Sequence, residues 1–123
     1  MSEPIVRNLD RPDETRQTGD RGQVDLVALG GVTVGRATYQ PGWRWSQHVK
    51  PMAGTDLCQM THIGYVVSGR QAVRMADGSE VELRPGDAFA VDAGHDAWVV
   101  GEEPCVTLDF SGSMAGFATG GRS

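Results

Sequence analysis

The sequence contains few residues of several kinds, and each shortage argues against a class of protein. Its 123 residues include two cysteines and three histidines, and aromatic residues make up 7%. No apolar run approaches the ~20 residues that a membrane-spanning helix needs. Lysine and arginine are scattered and the net charge is −5, so no basic stripe is available to neutralise a phosphate backbone. We therefore expect neither a membrane protein nor a nucleic-acid-binding protein.

The N-terminal residues also lack the apolar core of a signal peptide, because residues 7–22 are polar. This pattern predicts a cytoplasmic protein. In that compartment Cys58 and Cys105 are expected to be thiols or metal ligands. A disulfide between neighbouring strands stays open as the alternative.

Turn-forming residues are plentiful, with 17 glycines and 6 prolines, and they divide the chain into short runs. Asp77 and Gly78 stand between two such runs, which is a strong hairpin signal. No run has a sustained 3.6-residue period, so the pattern predicts an all-β antiparallel barrel or sandwich in a single domain. The candidate strands are residues 24–29, 32–39, 43–48, 58–67, 71–75, 80–83, 88–91, 97–100 and 105–110.

The two ends of the chain differ from this pattern. Residues 1–22 are charged and have little to bury, which predicts a flexible arm, either free or draped over the barrel or a partner. Residues 23–110 form the predicted barrel. Residues 111–123 are rich in Gly and Ser and are predicted to form a flexible tail, with Met114 and Phe117 as docking points.

The histidines all lie in the middle of the chain, at or beside predicted strands. On a regular strand Cys58, Met60 and His62 share one face. His48 ends another predicted strand, and His95 lies in a turn before the next. Imidazole nitrogen suits Zn, Fe, Ni and Cu, and three such ligands leave positions open for water or substrate. Cys58 is a candidate fourth ligand; the alternative is that His48 and His95 are exposed and His62 is a buried structural residue.

Two short motifs between residues 37 and 110 resemble those of the cupin superfamily. Gly42 is followed after five residues by His48, and the Tyr-Val-Val-Ser-Gly segment that ends at Gly69 is similar to the strand and turn that close the first motif. Pro85 resembles the start of the second motif, and Gly94 fits its second glycine. The resemblance implies a small single-domain cupin of the cupin 2 conserved barrel type, an antiparallel double-stranded β-helix or jelly roll.

The resemblance also implies a ligand set with several changes from the family pattern. His48 keeps a family ligand, His62 stands where the family has Glu, and His95 lies two residues before the family's second-motif His. Lys50 replaces the second His of the His-x-His pair, and Cys58 could offset that loss. The implied cofactor is one divalent transition metal ion, Zn, Fe, Ni or Cu. The alternative is that Lys50 marks a barrel that has lost its metal and binds an organic anion instead.

Four side chains are candidates for the substrate pocket: Arg44, Lys50, Met60 and Arg74. Arg44 shares a face with His48 on a regular strand and Arg74 lies on a central strand, so either could bind a carboxylate through two hydrogen bonds. An exposed arginine is the alternative for both. The sequence also suggests that Asp96 orients the neighbouring His95, with a solvated turn carboxylate as the alternative.

Two kinds of function remain open from the sequence. The first is a metal-dependent enzyme, dioxygenase-like or isomerase-like, acting on a small organic molecule in the barrel cavity. The second is a non-enzymatic module that binds or senses a small molecule, with or without metal. A general base separate from the ligands would favour the enzyme, and the sequence indicates none. Cupins of this size often pair through strands near the N-terminus, so the resemblance implies a homodimer.

Overall fold

The computed structural model describes residues 3–112 and residue 114, and it confirms an all-β antiparallel barrel. Six strands form one sheet in the order β1-β2-β3-β9-β4-β7, and three form a second sheet in the order β6-β5-β8. Every pairing is antiparallel. The elements are β1 (Glu14–Gln17), β2 (Gly22–Leu29), β3 (Val32–Tyr39), α1 (Trp45–His48), α2 (Lys50–Ala53), β4 (His62–Ser68), β5 (Arg70–Met75), β6 (Glu80–Leu83), β7 (Ala88–Val91), β8 (His95–Val100) and β9 (Cys105–Asp109).

The hairpin between β5 and β6 forms where the sequence predicts it. Gly78 has a φ of +90°, a conformation that a residue with a side chain rarely adopts. Its N–H donates to the Met75 carbonyl, while Asp77 accepts from the Ser79 N–H. The turn closes the smaller sheet and sets the register of β5 on β6.

The N-terminal segment is partly a strand of the larger sheet. β1 pairs with β2 over four residues, and Arg36 on β3 donates to Asp10 Oδ1 at 2.8 Å and to the buried Asp25 Oδ2 at 3.0 Å. Residues 14–17 of the predicted arm therefore lie on the barrel. β2 begins at Gly22, one residue before the predicted start of the barrel.

The predicted strand 43–48 is helical after its first two residues. Arg44 forms an isolated bridge with Trp98, and α1 begins at Trp45. Trp45 and Val49 are both buried, and this spacing of four residues places them on one face of a helical turn. Asp96 Oδ1 accepts the Ser46 N–H at 3.0 Å, which satisfies a donor at the start of the helix.

The predicted strand 58–67 is also interrupted. β4 begins at His62, and Cys58 lies in an isolated bridge with His95 instead. The Cys58 N–H donates to the His95 carbonyl and the Gly94 N–H to the Cys58 carbonyl, both at 2.7 Å. Met60, between the two, is buried in the core.

Between the sheets lies one core of buried apolar residues. It includes Val24, Ala37, Val66 and Val73. Met114 is 5% exposed and packs into this core, whereas Phe117 lies outside the described residues. Among the residues that the structure describes, no helix combines the length and hydropathy needed to cross a bilayer.

Candidate metal centre

Cys58, His62 and His95 form a compact group at one side of the barrel interior. The isolated bridge places Cys58 beside the first residue of β8, and β4 begins at His62. One ligand atom from each residue lies within 4.8 Å of the others. Cys58 Sγ is 4.0 Å from His62 Nε2, and the two imidazole centroids are 5.3 Å apart. The structure thus brings together three of the four residues that the sequence suggested as ligands.

Hydrogen bonds orient both imidazoles of this group. His62 Nδ1 lies 2.7 Å from Asp109 Oδ2, and the other carboxylate oxygen accepts the N–H and the hydroxyl of Ser111. His95 Nδ1 donates to the Asp92 carbonyl at 2.7 Å. Since each Nδ1 is engaged, Nε2 is the nitrogen left for a metal, an arrangement common among metal-binding histidines.

The three side chains also change one another's proton affinity. Burial raises the pKa of Cys58, but hydrogen bonds from His62 and His95 outweigh it and lower the pKa to about 6. Burial lowers the pKa of His62, but Asp109 and Cys58 raise it to about 9. The group therefore favours the thiolate form of Cys58, which is the form that binds metal.

The donor set fits a divalent transition metal. A thiolate and two imidazoles suit Zn, Fe, Ni and Cu. Usual Zn–S and Zn–N bond lengths in a tetrahedral site place sulfur and nitrogen about 3.5 Å apart, so the observed 4.0 Å needs a side-chain shift of a few tenths of an ångström. Three protein ligands leave at least one position open. The group can therefore hold a metal whose identity the donors do not fix.

A small cavity adjoins the group. It offers about 40 Å³ to the centres of water molecules, room for about three waters. Besides Cys58, His62 and His95, its polar lining consists of Gln71, Thr107 and Asp109. The rest of its lining is aromatic or apolar and comprises Tyr39, Trp43, Trp45, Val73, Leu83, Phe89, Val91, Ala97 and Met114.

Two residues of the cavity lining, Tyr39 and Trp45, carry buried hydrogen-bond donors. Burial, followed by the charge of Asp109, raises the pKa of Tyr39, so its phenol stays protonated. Trp45 is 3% exposed, and its Nε1 has no hydrogen-bond partner among the described residues. The neighbouring Trp43 differs, because its Nε1 donates to the Thr18 carbonyl at 2.7 Å.

His48, the fourth suggested ligand, lies elsewhere. It ends α1, and its Nδ1 lies 3.0 Å from the Arg44 backbone nitrogen, which donates to it. It is not among the residues that line the cavity. The physical reason is the helix: in place of an extended strand, α1 turns the His48 ring back towards its own first turn.

The suggested pocket residues are not cavity residues either. Arg44 pairs with Asp96 at 3.2 Å and stacks on the Trp98 ring at 4.3 Å. Arg74 is exposed on β5. The third cation, Lys50, pairs with the exposed Asp56 at 3.3 Å. Like the buried Met60, these three cations are absent from the cavity lining within the described part of the chain.

Asp109 is the residue that sequence reasoning missed, and Asp96 has a different role from the one suggested. Asp96 accepts from Ser46 and Arg44 and does not orient His95. Asp109 is 2% exposed. The sequence pattern that could have identified Asp109 is the alternation in β9, which puts Cys105 and Asp109 on the same buried face. An acidic residue at an inward strand position needs a partner.

Comparison with known proteins identifies the fold family. The model of the Cupin domain family matches residues 35–111. A sugar phosphate isomerase from a cupin superfamily of Silicibacter pomeroyi is 19% identical, with a TM-score of 0.63 over 86% of this chain and 74% of that one. KdgF from Halomonas sp. is 20% identical, with a TM-score of 0.60 over 89% and 92%.

A third solved structure, ectoine synthase from P. lautus, is 14% identical, with a TM-score of 0.61 over 89% of this chain and 78% of that chain. No curated protein matches the sequence. At these identities the structures share the fold alone, whereas the family model covers more than half of the chain. The chain therefore belongs to the cupin family.

Proposed function

We propose that this cupin is a metal-dependent enzyme acting on a small organic molecule, through an isomerase-like or dioxygenase-like reaction. The observation that carries the proposal is the convergence of Cys58, His62 and His95 within 4.8 Å beside a small, mostly apolar cavity. A bound divalent metal would act as a Lewis acid at an oxygen atom of the substrate. The proposed metal is one divalent transition ion: Zn, Fe, Ni or Cu.

The chain's own residues support such a reaction in distinct ways. Asp109 fixes His62 through the 2.7 Å contact at Nδ1, which keeps Nε2 aimed at the ligand group. The protonated hydroxyl of Tyr39 is a hydrogen-bond donor in the same cavity. Apolar walls such as Val91 and Phe89 limit the water that reaches the site, and this strengthens polar interactions inside it.

One observation favours a second candidate, a non-enzymatic module that binds or senses a small molecule. Among the described lining residues the titratable groups are Tyr39, Cys58, His62, His95 and Asp109. Three of them are the proposed ligands, and Asp109 is committed to His62. Tyr39 is held in its protonated form. The described lining residues therefore leave no base free for proton abstraction, and an enzyme of this design needs metal-bound water or substrate to supply one.

Metal analysis of the purified protein tests the proposal first. Protein purified from cells grown with added metals is expected to contain one transition metal ion per chain, and the His62→Ala variant is expected to contain almost none. His48→Ala is the matched control, because His48 lies outside the group. Near-zero metal in the unaltered protein would contradict the metal-dependent function.

A turnover screen then separates the enzyme from the sensor. Metal-loaded protein is incubated with small alcohols, thiols, ketones and phenols, and oxygen consumption and product formation are followed. Turnover that disappears in His62→Ala supports the enzyme. Saturable binding without turnover, at full metal occupancy, supports the sensing module.

We also propose a homodimer on the basis of family membership, and a cytoplasmic location on the basis of the sequence pattern. Light scattering coupled to size-exclusion chromatography is expected to give twice the mass of the 13.2 kDa chain. A mass of one chain at micromolar concentrations would contradict the dimer.

A further inference from the structure

We infer that the cavity selects a compact, uncharged organic ligand, such as an amide, alcohol or ketone, over a carboxylate or a phosphate. The inference deepens the proposed function by naming its substrate class, and it rests on that function for the metal charge. It stands on the charges and polar groups that line the cavity.

The charge balance around Cys58, His62 and His95 favours an uncharged ligand. A divalent metal bound by the Cys58 thiolate and two neutral imidazoles leaves one positive charge, since a coordinating thiol is deprotonated. Asp109, at 2% exposure and 2.7 Å from His62, contributes one negative charge. The buried group is then neutral overall. An anionic ligand would leave one uncompensated negative charge in a poorly solvated site, which is costly.

The cationic side chains lie away from the cavity. No lysine or arginine is among the described residues that line the cavity. Arg44 and Lys50 are paired with carboxylates outside it, and Arg74 is exposed on the smaller sheet. The bidentate arginine contact that usually binds a carboxylate or phosphate is therefore not offered by these three residues.

The polar groups that line the cavity away from the proposed metal are mostly uncharged. Gln71 and Thr107 are 8% and 3% exposed, both line the cavity, and both are uncharged. The Trp45 Nε1–H, which lacks a partner among the described residues, is a further uncharged donor at this lining. Amide, hydroxyl and indole groups hydrogen-bond carbonyl and hydroxyl oxygens without a charge on either side. A cavity with room for about three waters favours a compact ligand.

Two pairs of probes of matched size test the inference: acetamide against acetate, and lactamide against lactate. Binding to zinc-loaded protein is followed through the indole N–H signals of its three tryptophans in nitrogen-15 spectra. Trp43 and Trp45 line the cavity and report binding, whereas Trp98 lies against Arg44 and serves as the internal control. Each amide is expected to bind about tenfold or more tightly than its acid, because of the uncompensated charge.

Asp109→Asn changes the charge of the site without changing its size. In zinc-saturated Asp109→Asn the preference for the amide is expected to fall about tenfold, because the site gains one net positive charge. Asp25→Asn is the matched control. Asp25 is also a buried carboxylate, but it pairs with Arg36 and lies outside the cavity lining, so this variant should keep the amide preference of the unaltered protein.

The outcomes separate this inference from the proposed function. Acid bound as tightly as amide by zinc-loaded protein overturns the inference and leaves the metal function intact. Failure of acetamide to shift Trp43 or Trp45 also overturns it, since acetamide has about the volume of three waters. If the protein holds no metal, the proposed function fails, and the inference fails with it, because the charge balance includes the metal ion.

Discussion

Two cysteine environments in the same barrel lead to opposite chemistry. Cys58 and Cys105 are both buried and both free thiols. Cys58 faces two imidazoles, which bring its pKa to about 6 despite burial. Cys105 contacts the neutral Gln71 side chain, and burial raises its pKa to about 12. Burial alone therefore leaves a cysteine protonated and inert, whereas the histidines beside Cys58 favour its thiolate, the form that can bind a metal.

The largest expected difference between the two regions is in metal retention. Cys58→Ser removes the thiolate and is expected to weaken zinc affinity by more than ~100-fold. This exceeds the usual effect of changing a residue that contacts a metal ligand but not the metal itself. Cys105→Ser is expected to keep the metal, at a modest cost in stability. Competition with a chromophoric chelator measures both affinities. Equal affinities in the two variants would remove the distinction between the cysteines.

The group of Cys58, His62 and His95 depends on a close approach between the strands β4 and β9. Gly64 on β4 pairs with Asp109 on β9, and a Cβ added at Gly64 would lie only 2.0 Å from the Leu108 carbonyl oxygen. Gly64→Ala is expected to lower the unfolding free energy by about 2–3 kcal/mol and to weaken metal binding, because the strands that hold His62 against Asp109 must separate. Gly31→Ala, where nothing lies near the added Cβ, is the control in urea unfolding. A Gly64→Ala variant as stable as the control would contradict the tight contact.

The next largest effect on zinc affinity is expected at Asp109, whose carboxylate contacts His62. Asp109→Asn keeps the size of the side chain but weakens its orientation of His62, and zinc affinity is expected to fall about 10–100-fold. Asp25→Asn, at the Arg36 ion pair, should alter stability while leaving zinc affinity unchanged. Parallel losses of zinc affinity in both variants would indicate general destabilisation.

A titration of the metal-free protein sharpens the comparison of the thiols. The folded pKa of Cys58 lies below the usual value of 9.0, so its thiolate contribution to stability is present at high pH and is lost as the pH falls through about 6. Absorbance of the thiolate at ultraviolet wavelengths should fall by one thiolate over that range. The step should vanish in Cys58→Ser and persist in Cys105→Ser. A step that persists in Cys58→Ser would assign it to another group.

The smallest expected effect is at His48. His48→Ala removes a contact with the Arg44 backbone at the edge of the barrel, so zinc stoichiometry and affinity should match those of the unaltered protein. A large loss of zinc would require His48 to move into the group on metal binding.

The fold was predictable because turns and alternation carry local information. Asp77 and Gly78 mark their hairpin through backbone conformation alone, and the structure confirms it. The segment around His48 was predicted wrongly as a strand. The buried residues Trp43 and Trp45 have the two-residue spacing of a strand, whereas Trp45 and Val49 have the four-residue spacing of a helical turn. Tertiary packing decides between the two patterns.

The site was predictable only in part, because its geometry depends on pairing between distant segments. Cys58 and His62 were suggested from a shared strand face, yet Cys58 reaches the group through its bridge to His95. Asp109 is 47 residues from His62 in the sequence. Their contact follows from the register of β4 on β9, and no local pattern encodes that register.

X-ray absorption spectroscopy of the zinc-loaded protein tests the central claim most directly, because it counts the atoms bound to the metal. We predict one sulfur at about 2.3 Å together with imidazole nitrogens at about 2.0 Å. The sulfur contribution should be absent in Cys58→Ser and retained in Cys105→Ser. A zinc site without sulfur in the unaltered protein, or one whose sulfur survives in Cys58→Ser, would contradict the assignment of Cys58, His62 and His95 as its ligands.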